Sequence, residues 1–313
     1  MSTRRLFVKQ SLLGASALLL KPSLLYAGKE ETPLKISLAE WSLHRLLKSG
    51  KLDHLDFPAK ARNDFGIEAV EYVNGFFGGN KMNFKEAAKN KTYLNDLLKR
   101  SKDAGIFNHL IMVDEEGLLA LPKDKERLQA VDNHKKWIEA AKFLGCWTVR
   151  VNLHGNGDSA AKKTASIDSL SRLGEFSKTM NINIVVENHG SDSSKGDWIA
   201  DVMKQVNKTN IGTLPDFGNF CISHPWGTTQ DGCKDEYDRY KGVEEMLPFA
   251  KGVSAKTYDF DSNGEQPLMD YKRLMGLVNG SSLKGYIGIE YEGNKGDEED
   301  GIRKTKALIE KYL

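Results

Sequence analysis

Four apolar, β-like runs in the C-terminal half of the chain end in residues able to do chemistry. VVENHG ends around Glu187, TLPDFGN around Asp216, GVSAKTYDF around Ser254 and Lys256, and YIGIEYEG around Glu290. Such carboxylates suit a hard or borderline divalent cation, Mg2+, Mn2+ or Zn2+, which polarises a carbonyl. Glu187 and Glu290 are the natural pair to remove and return the proton on the carbon next to that carbonyl. Lys256 either neutralises the carboxylates or acts directly on the substrate or its enolate.

The endings are 29, 38 and 36 residues apart. That is the length of one strand, one helix and their loops, the repeat of a (β/α)8 barrel, whose C-terminal strand ends form one mouth. The spacing therefore predicts that these groups meet. A charge among the apolar layers of a barrel is costly without a partner, so the carboxylates need a cation, shared protons or a ligand. Side chains two apart on a strand point the same way, which pairs Glu187 with His189, Ser254 with Lys256, and Glu290 with Glu292. Arg150, Asn152 and His154 alternate likewise and supply polar lining if they face inward. His189 either reaches substrate or sits in a surface loop. His44 and His224 read as surface residues, and Trp41 and Trp226 as core or lid packing.

Stepping β-rich runs alternate with amphipathic helical patterns from Leu34 onward, which predicts an α/β protein with a parallel sheet. Eight strands are expected: Leu34 to Trp41, Ala69 to Val73, Asn108 to Val113, Thr148 to Leu153, Asn183 to Asn188, Gly212 to Phe217, Gly252 to Thr257 and Gly285 to Tyr291. Two irregular stretches, Asn74 to Asn90 and Cys221 to Asp238, each follow a strand end and are candidate lids.

With 313 residues, 40% of them hydrophobic, the chain can bury one large core, and a barrel of about 250 residues fits as a single domain over residues 28–313. Residues 1–27 read as a twin-arginine export signal: Arg4 and Arg5 precede an apolar run ending at Leu20 that is short of the ~20 residues a membrane span needs. The expected location is periplasmic or otherwise exported, with no stable membrane anchor. Without that segment the chain keeps 41 basic and 43 acidic residues, which leaves no footprint for nucleic acid. Cys146, Cys221 and Cys233 lack metal-binding CxxC spacing. Unpaired thiols are the favoured reading, and Cys221 with Cys233 is the most plausible pair if one forms.

From Leu34 to Leu313 the chain resembles the sugar phosphate isomerase/epimerase, or xylose isomerase-like, TIM barrels. The GIEAVE run, ENH, PDFGN and GIEYEG motifs carry that resemblance. It implies that one divalent metal is held by Glu, Asp, His and Glu from strands five to eight, with Glu187, Asp216 and Glu290 in three of those places. Ser254 stands where the family has a His two residues before Lys256, and Asn219 where it often has another. By the same resemblance Glu71 binds sugar hydroxyls; a salt bridge to Arg150 explains it equally well.

The expected function is an exported sugar isomerase or epimerase acting on a small carbohydrate. The alternatives are a lyase that eliminates the aglycone of a keto-glycoside and a non-catalytic sugar-binding barrel. No Gly-rich phosphate cradle is present, which favours a free sugar or glycoside.

Overall fold

Eight short runs rich in apolar and β-branched residues form parallel strands: β1 Lys35–Ala39, β2 Ala69–Val73, β3 Phe107–Met112, β4 Thr148–Val151, β5 Asn183–Glu187, β6 Ile211–Leu214, β7 Val253–Thr257 and β8 Tyr286–Tyr291. The computed structural model describes residues 34–230 and 232–313; the segment read as an export signal, and its boundary, lie outside them. Hydrogen-bonded neighbours run β6-β5-β4-β3-β2-β1-β8-β7.

The barrel closes through an irregular seam between β6 and β7. Pro215 has no N–H to donate, so the regular part of β6 stops at Leu214, short of the expected Phe217. Pairing resumes through its carbonyl, which accepts from Ser254 N at 2.9 Å, while Phe217 N donates to Ser254 O at 3.1 Å. This seam sets Asp216 beside Ser254.

Helices follow the strands on the outside: α1 His44–Lys48, α2 Phe57–Phe65, α3 Phe84–Ala87, α4 Lys91–Asp103, α5 Asp124–Leu144, α6 Ser159–Lys178, α7 Gly196–Val206, α8 Arg239–Met246, α9 Tyr271–Asn279 and α10 Glu298–Tyr312. Their ends are set locally. Asp158 and Asp297 accept from the first free N–H groups of α6 and α10, which satisfies donors that have no partner inside the helix. Gly145 ends α5 in a left-handed conformation that costs little without a Cβ. No described helix is long and apolar enough to cross a membrane.

The large apolar core lies between strands and helices, and a smaller one of Ala39, Val73, Leu110, Met112, Val185 and Leu214 fills part of the barrel interior. The rest of the interior is polar. Gly288 is required by that polarity: a Cβ there would come within 2.6 Å of the Glu71 carboxylate.

Both candidate lids sit at the mouth. The second is held shut by a disulfide between Cys221 and Cys233, which corrects the expectation of unpaired thiols. The chain leaves β6 and returns through an antiparallel bridge of Cys221 with Glu236, bringing the two cysteine Cα atoms to 5.7 Å. The linear spacing carries no trace of that return. Cys146 is free and buried.

Candidate active site

Alternation along the strands turns Glu187, Asp216, Ser254, Lys256 and Glu290 toward the mouth, as their spacing predicts. Oxygens of Glu187, Asp216 and Glu290 lie within 4.8 Å of one another, all three residues buried. Lys256 sits among them. Its Nζ is 3.0 Å from Glu290 Oε1, 3.2 Å from Glu292 Oε2 and 3.7 Å from Asp216 Oδ2, and it donates to Asn219 Oδ1 at 3.1 Å. Ser254 Oγ donates to Asp216 Oδ2 at 2.5 Å and lies 3.3 Å from Glu290 Oε2, so the hydroxyl orients the carboxylates it joins.

On the other side, Arg150 pairs with Glu187 across 2.8 Å and with Asp114 across 2.7 Å. The contact to Glu187 is an ion pair without hydrogen-bond alignment, because Arg150 Nε and Glu187 Oε2 both lack a hydrogen-bond partner among the described residues. Asn219 links the two halves, donating to Glu187 Oε1 at 3.3 Å while accepting from Lys256. Asn188 clamps β5 to β6: its Oδ1 accepts from Asp216 N at 2.7 Å, and its Nδ2 donates to the Asp216 and Asn219 carbonyls.

Burial sets the electrostatics. Desolvation pushes Glu187 well above the usual carboxylate range, with Arg150 opposing and the Glu290 and Asp216 charges reinforcing. Asp216 is pushed up to about 7 by burial, against the pull of Lys256 and with a further push from Glu290. Burial alone lowers an amine, but the carboxylates of Asp216, Glu290 and Glu292 outweigh it and hold Lys256 well above its ordinary value. His189 is driven well below its ordinary value by burial and by the Arg150 and Lys256 charges, so it is neutral. Asn152 Nδ2 donates to Asp114 Oδ1 at 2.6 Å, which leaves its Oδ1 to accept from His189 Nδ1 at 3.0 Å and leaves His189 Nε2 as an acceptor.

A cavity of about 790 Å³ opens above these groups. Arg150, His189, Asn219, Lys256, Glu290 and Glu292 line it, whereas Glu187 and Asp216 lie beneath that lining. Glu71 does not line the cavity. It forms no ion pair with Arg150 either, which is drawn to Asp114 and Glu187; instead Ser37 Oγ donates to Glu71 Oε1 at 2.6 Å. His224 and both Trp41 and Trp226 stand in the cavity wall, so His224 is not the plain surface residue expected. Trp226 packs on His154 and His189 at centroid distances of 5.2 and 5.3 Å. His154 itself bonds the His189 carbonyl, and His44 bonds the Trp41 carbonyl.

Sequence reasoning missed Asp114 and Asn188. Asp114 had a readable signal: IMVDEEG is another apolar run that ends in an acid.

The pattern of the xylose isomerase-like TIM barrel family matches residues 59–312. Among solved structures, the chain is similar to a sugar phosphate isomerase/epimerase from Parabacteroides distasonis, with 15% identity, a TM-score of 0.65, and coverage of 94% of this chain and 100% of that one. It is also similar to 3-keto-D-glucoside 4-epimerase from E. coli, with 12% identity, a TM-score of 0.59, and coverage of 89% and 100%. A shorter stretch of 75 residues is 29% identical to the C-glycoside deglycosidase alpha subunit of Arthrobacter globiformis, spanning 22% of this chain and 21% of that subunit. With its pattern matched over most of its length and its eight parallel strands closed into one barrel, the chain belongs to the xylose isomerase-like TIM barrel family.

Proposed function

We propose that this protein is a sugar-modifying enzyme that moves a proton on the carbon next to a carbonyl, an isomerase or epimerase of free sugars or glycosides. The convergence of Glu187, Asp216 and Glu290 at the strand ends carries this reading. The donors fit a bound dication. Five carboxyl groups, Asp114, Glu187, Asp216, Glu290 and Glu292, face only Arg150 and Lys256 in the contacts of the site, and Glu187 Oε2 has no hydrogen-bond partner among the described residues. Ser254 and Asn219 add oxygens and no nitrogen ligand, a set that favours Mg2+ or Mn2+ over Zn2+. Glu187, Asp216 and Glu290 would hold the ion, and Glu292 gives Lys256 a second anion to turn to. When bound, such an ion polarises the sugar carbonyl and stabilises the developing enolate charge.

The chain's own groups do the rest. Glu290 is the base of the acid/base pair, since it lines the cavity and its lysine partner can also be held by Glu292; it takes the proton and leaves an enediolate. Glu187 is oriented by Arg150 and Asn219 and returns a proton, to the same carbon for epimerisation or to its neighbour for isomerisation. Lys256 supports the enolate oxygen, and the neutral His189 accepts from a sugar hydroxyl.

A lyase on a keto-glycoside is the second reading, supported by the stretch similar to the deglycosidase subunit. It uses the same abstraction but expels the group β to the carbonyl. Metal analysis of the purified protein and of Glu187→Ala, with keto sugars followed by NMR in D2O, tests both. Near-stoichiometric metal that Glu187→Ala loses, with deuterium entering at one carbon, is the expected result; an unsaturated product selects the lyase. Metal-free protein that leaves every keto sugar unexchanged overturns the proposal.

A further inference from the structure

The cavity reaches well beyond the reacting groups. At about 790 Å³ it lies in the upper part of the ~300–1,000 Å³ range that houses drug-sized ligands, more space than one sugar ring fills. Lys256, Glu290 and Asn219 occupy one part of its wall. Another part is built by the segments after β1 and β2, among them Trp41, His54, Phe76, Asn80, Lys81 and Phe84.

That second part is a constructed surface. Trp41 and Phe76 stack on each other at a centroid distance of 5.9 Å, with Lys48 Nζ 4.4 Å from the Trp41 ring, and Phe84 stacks on the buried Trp137 at 6.2 Å, so the rings are fixed in the wall. Glu40 fixes the floor: its Oε2 accepts from Val73 N at 2.9 Å, and its Oε1 accepts from His54 Nδ1 at 2.7 Å. His54, 1% exposed, is left with an Nε2 that has no partner among the described residues. Lys81 pairs with Asp53 at the rim.

Apolar ring surface edged with both hydrogen-bond donors and acceptors matches a pyranose, whose C–H faces are apolar and whose rim carries hydroxyls. A purely apolar group would leave the buried His54 Nε2 without a match. We infer that this second lobe is a subsite for the non-reacting ring of a glycoside, so that the substrate carries two sugar rings, one held over Glu290 and Lys256 and the other against the wall formed by Trp41, Phe76 and Phe84. The inference rests on the sugar-modifying reading above and names its substrate class.

Binding of a 3-keto-disaccharide and of the matching one-ring methyl 3-keto-glycoside to Glu290→Gln, by titration calorimetry, separates the subsite from the chemistry. The two-ring ligand is expected to bind at least tenfold tighter. In Phe84→Ala that ratio should fall toward one, and in Lys81→Ala, an exposed position where folding is not at issue, it should fall several-fold. Equal affinity for the two ligands overturns the subsite, as does a ratio that neither substitution changes. Turnover of both ligands by the wild-type protein at equal kcat/KM also overturns the subsite while leaving the proposed chemistry standing. A two-ring advantage in binding with no turnover of either ligand supports the subsite and rejects the chemistry.

Discussion

Glu71 is buried inside the barrel with one oxygen bonded to Ser37 and the other unpartnered among the described residues. Burial pushes its pKa from an ordinary 4.5 to about 7, with a small further push from Glu290. The folded value is the raised one, so the stability linked to this group is fully present below about 4.5 and is lost as pH rises through about 7. A shift of this size corresponds to roughly 3 kcal/mol at most. Glu71→Gln keeps the shape and cannot ionise. In chelator-treated protein, urea unfolding of the wild type should therefore weaken between pH 5 and 8 relative to Glu71→Gln; parallel pH profiles would refute the desolvation argument. Other interior residues differ in how plainly the sequence announces them. Glu187, Asp216 and Glu290 end apolar runs at a barrel's repeat, so residue type and spacing suffice. Asn188 was not legible, because its role is to bond the Asp216 and Asn219 backbone on the next strand, and such a partner exists only once strands are paired. Glu71 and Arg150 failed as a pair for a related reason: alternation shows which way each points, not which of several acids is nearest.

The strands were the most legible elements, since a buried parallel strand must be a short apolar run and a helix must follow it. Where the ends differ, a local cause is visible, as with Pro215 cutting β6. The loop at residues 221–238 was recognised as irregular but not as clamped. Its disulfide closes a short loop with a sequence separation of 12, and constraining the unfolded chain this way is worth about 3 kcal/mol on entropic grounds. The loop also carries Trp226 against His154 and His189, and Gly190 packs so tightly on it that a Cβ would meet the Pro225 carbonyl at 2.2 Å. Replacing both cysteines by serine should lower unfolding stability by about 2–3 kcal/mol and raise KM more than it lowers kcat, because the loop lines the cavity without supplying the acid/base pair. Calorimetry and steady-state kinetics on one preparation check both. Unchanged KM would show that the remaining contacts, such as Cys221 N to Gly227 O at 2.8 Å, hold the wall unaided.

At the scale of the whole molecule, the disulfide and the proposed export signal bear on each other. A disulfide persists in oxidising compartments and is rare where cellular thiols keep cysteines reduced. The twin-arginine route carries folded chains, which would let a barrel take up a cation, if it binds one, before translocation and close Cys221 to Cys233 afterwards. We propose that the protein follows this route, and the order can be read from its cysteines. Exported protein, unfolded without reductant, should expose one reactive thiol, from Cys146, because the other two cysteines of the chain are joined. Arg4→Lys with Arg5→Lys should hold the chain inside the cell, where all three thiols should label after unfolding. Labelling counted by mass spectrometry on fractionated cells distinguishes the cases. Three labelled thiols in the exported fraction would mean the loop works without its disulfide, and the pairing of Trp226 with the His189 wall would then depend on the loop's hydrogen bonds, such as Cys221 N to Gly227 O, and on the Gly190 contact. One labelled thiol in protein retained inside would separate disulfide formation from export, leaving the loop closed before the chain ever leaves the cell.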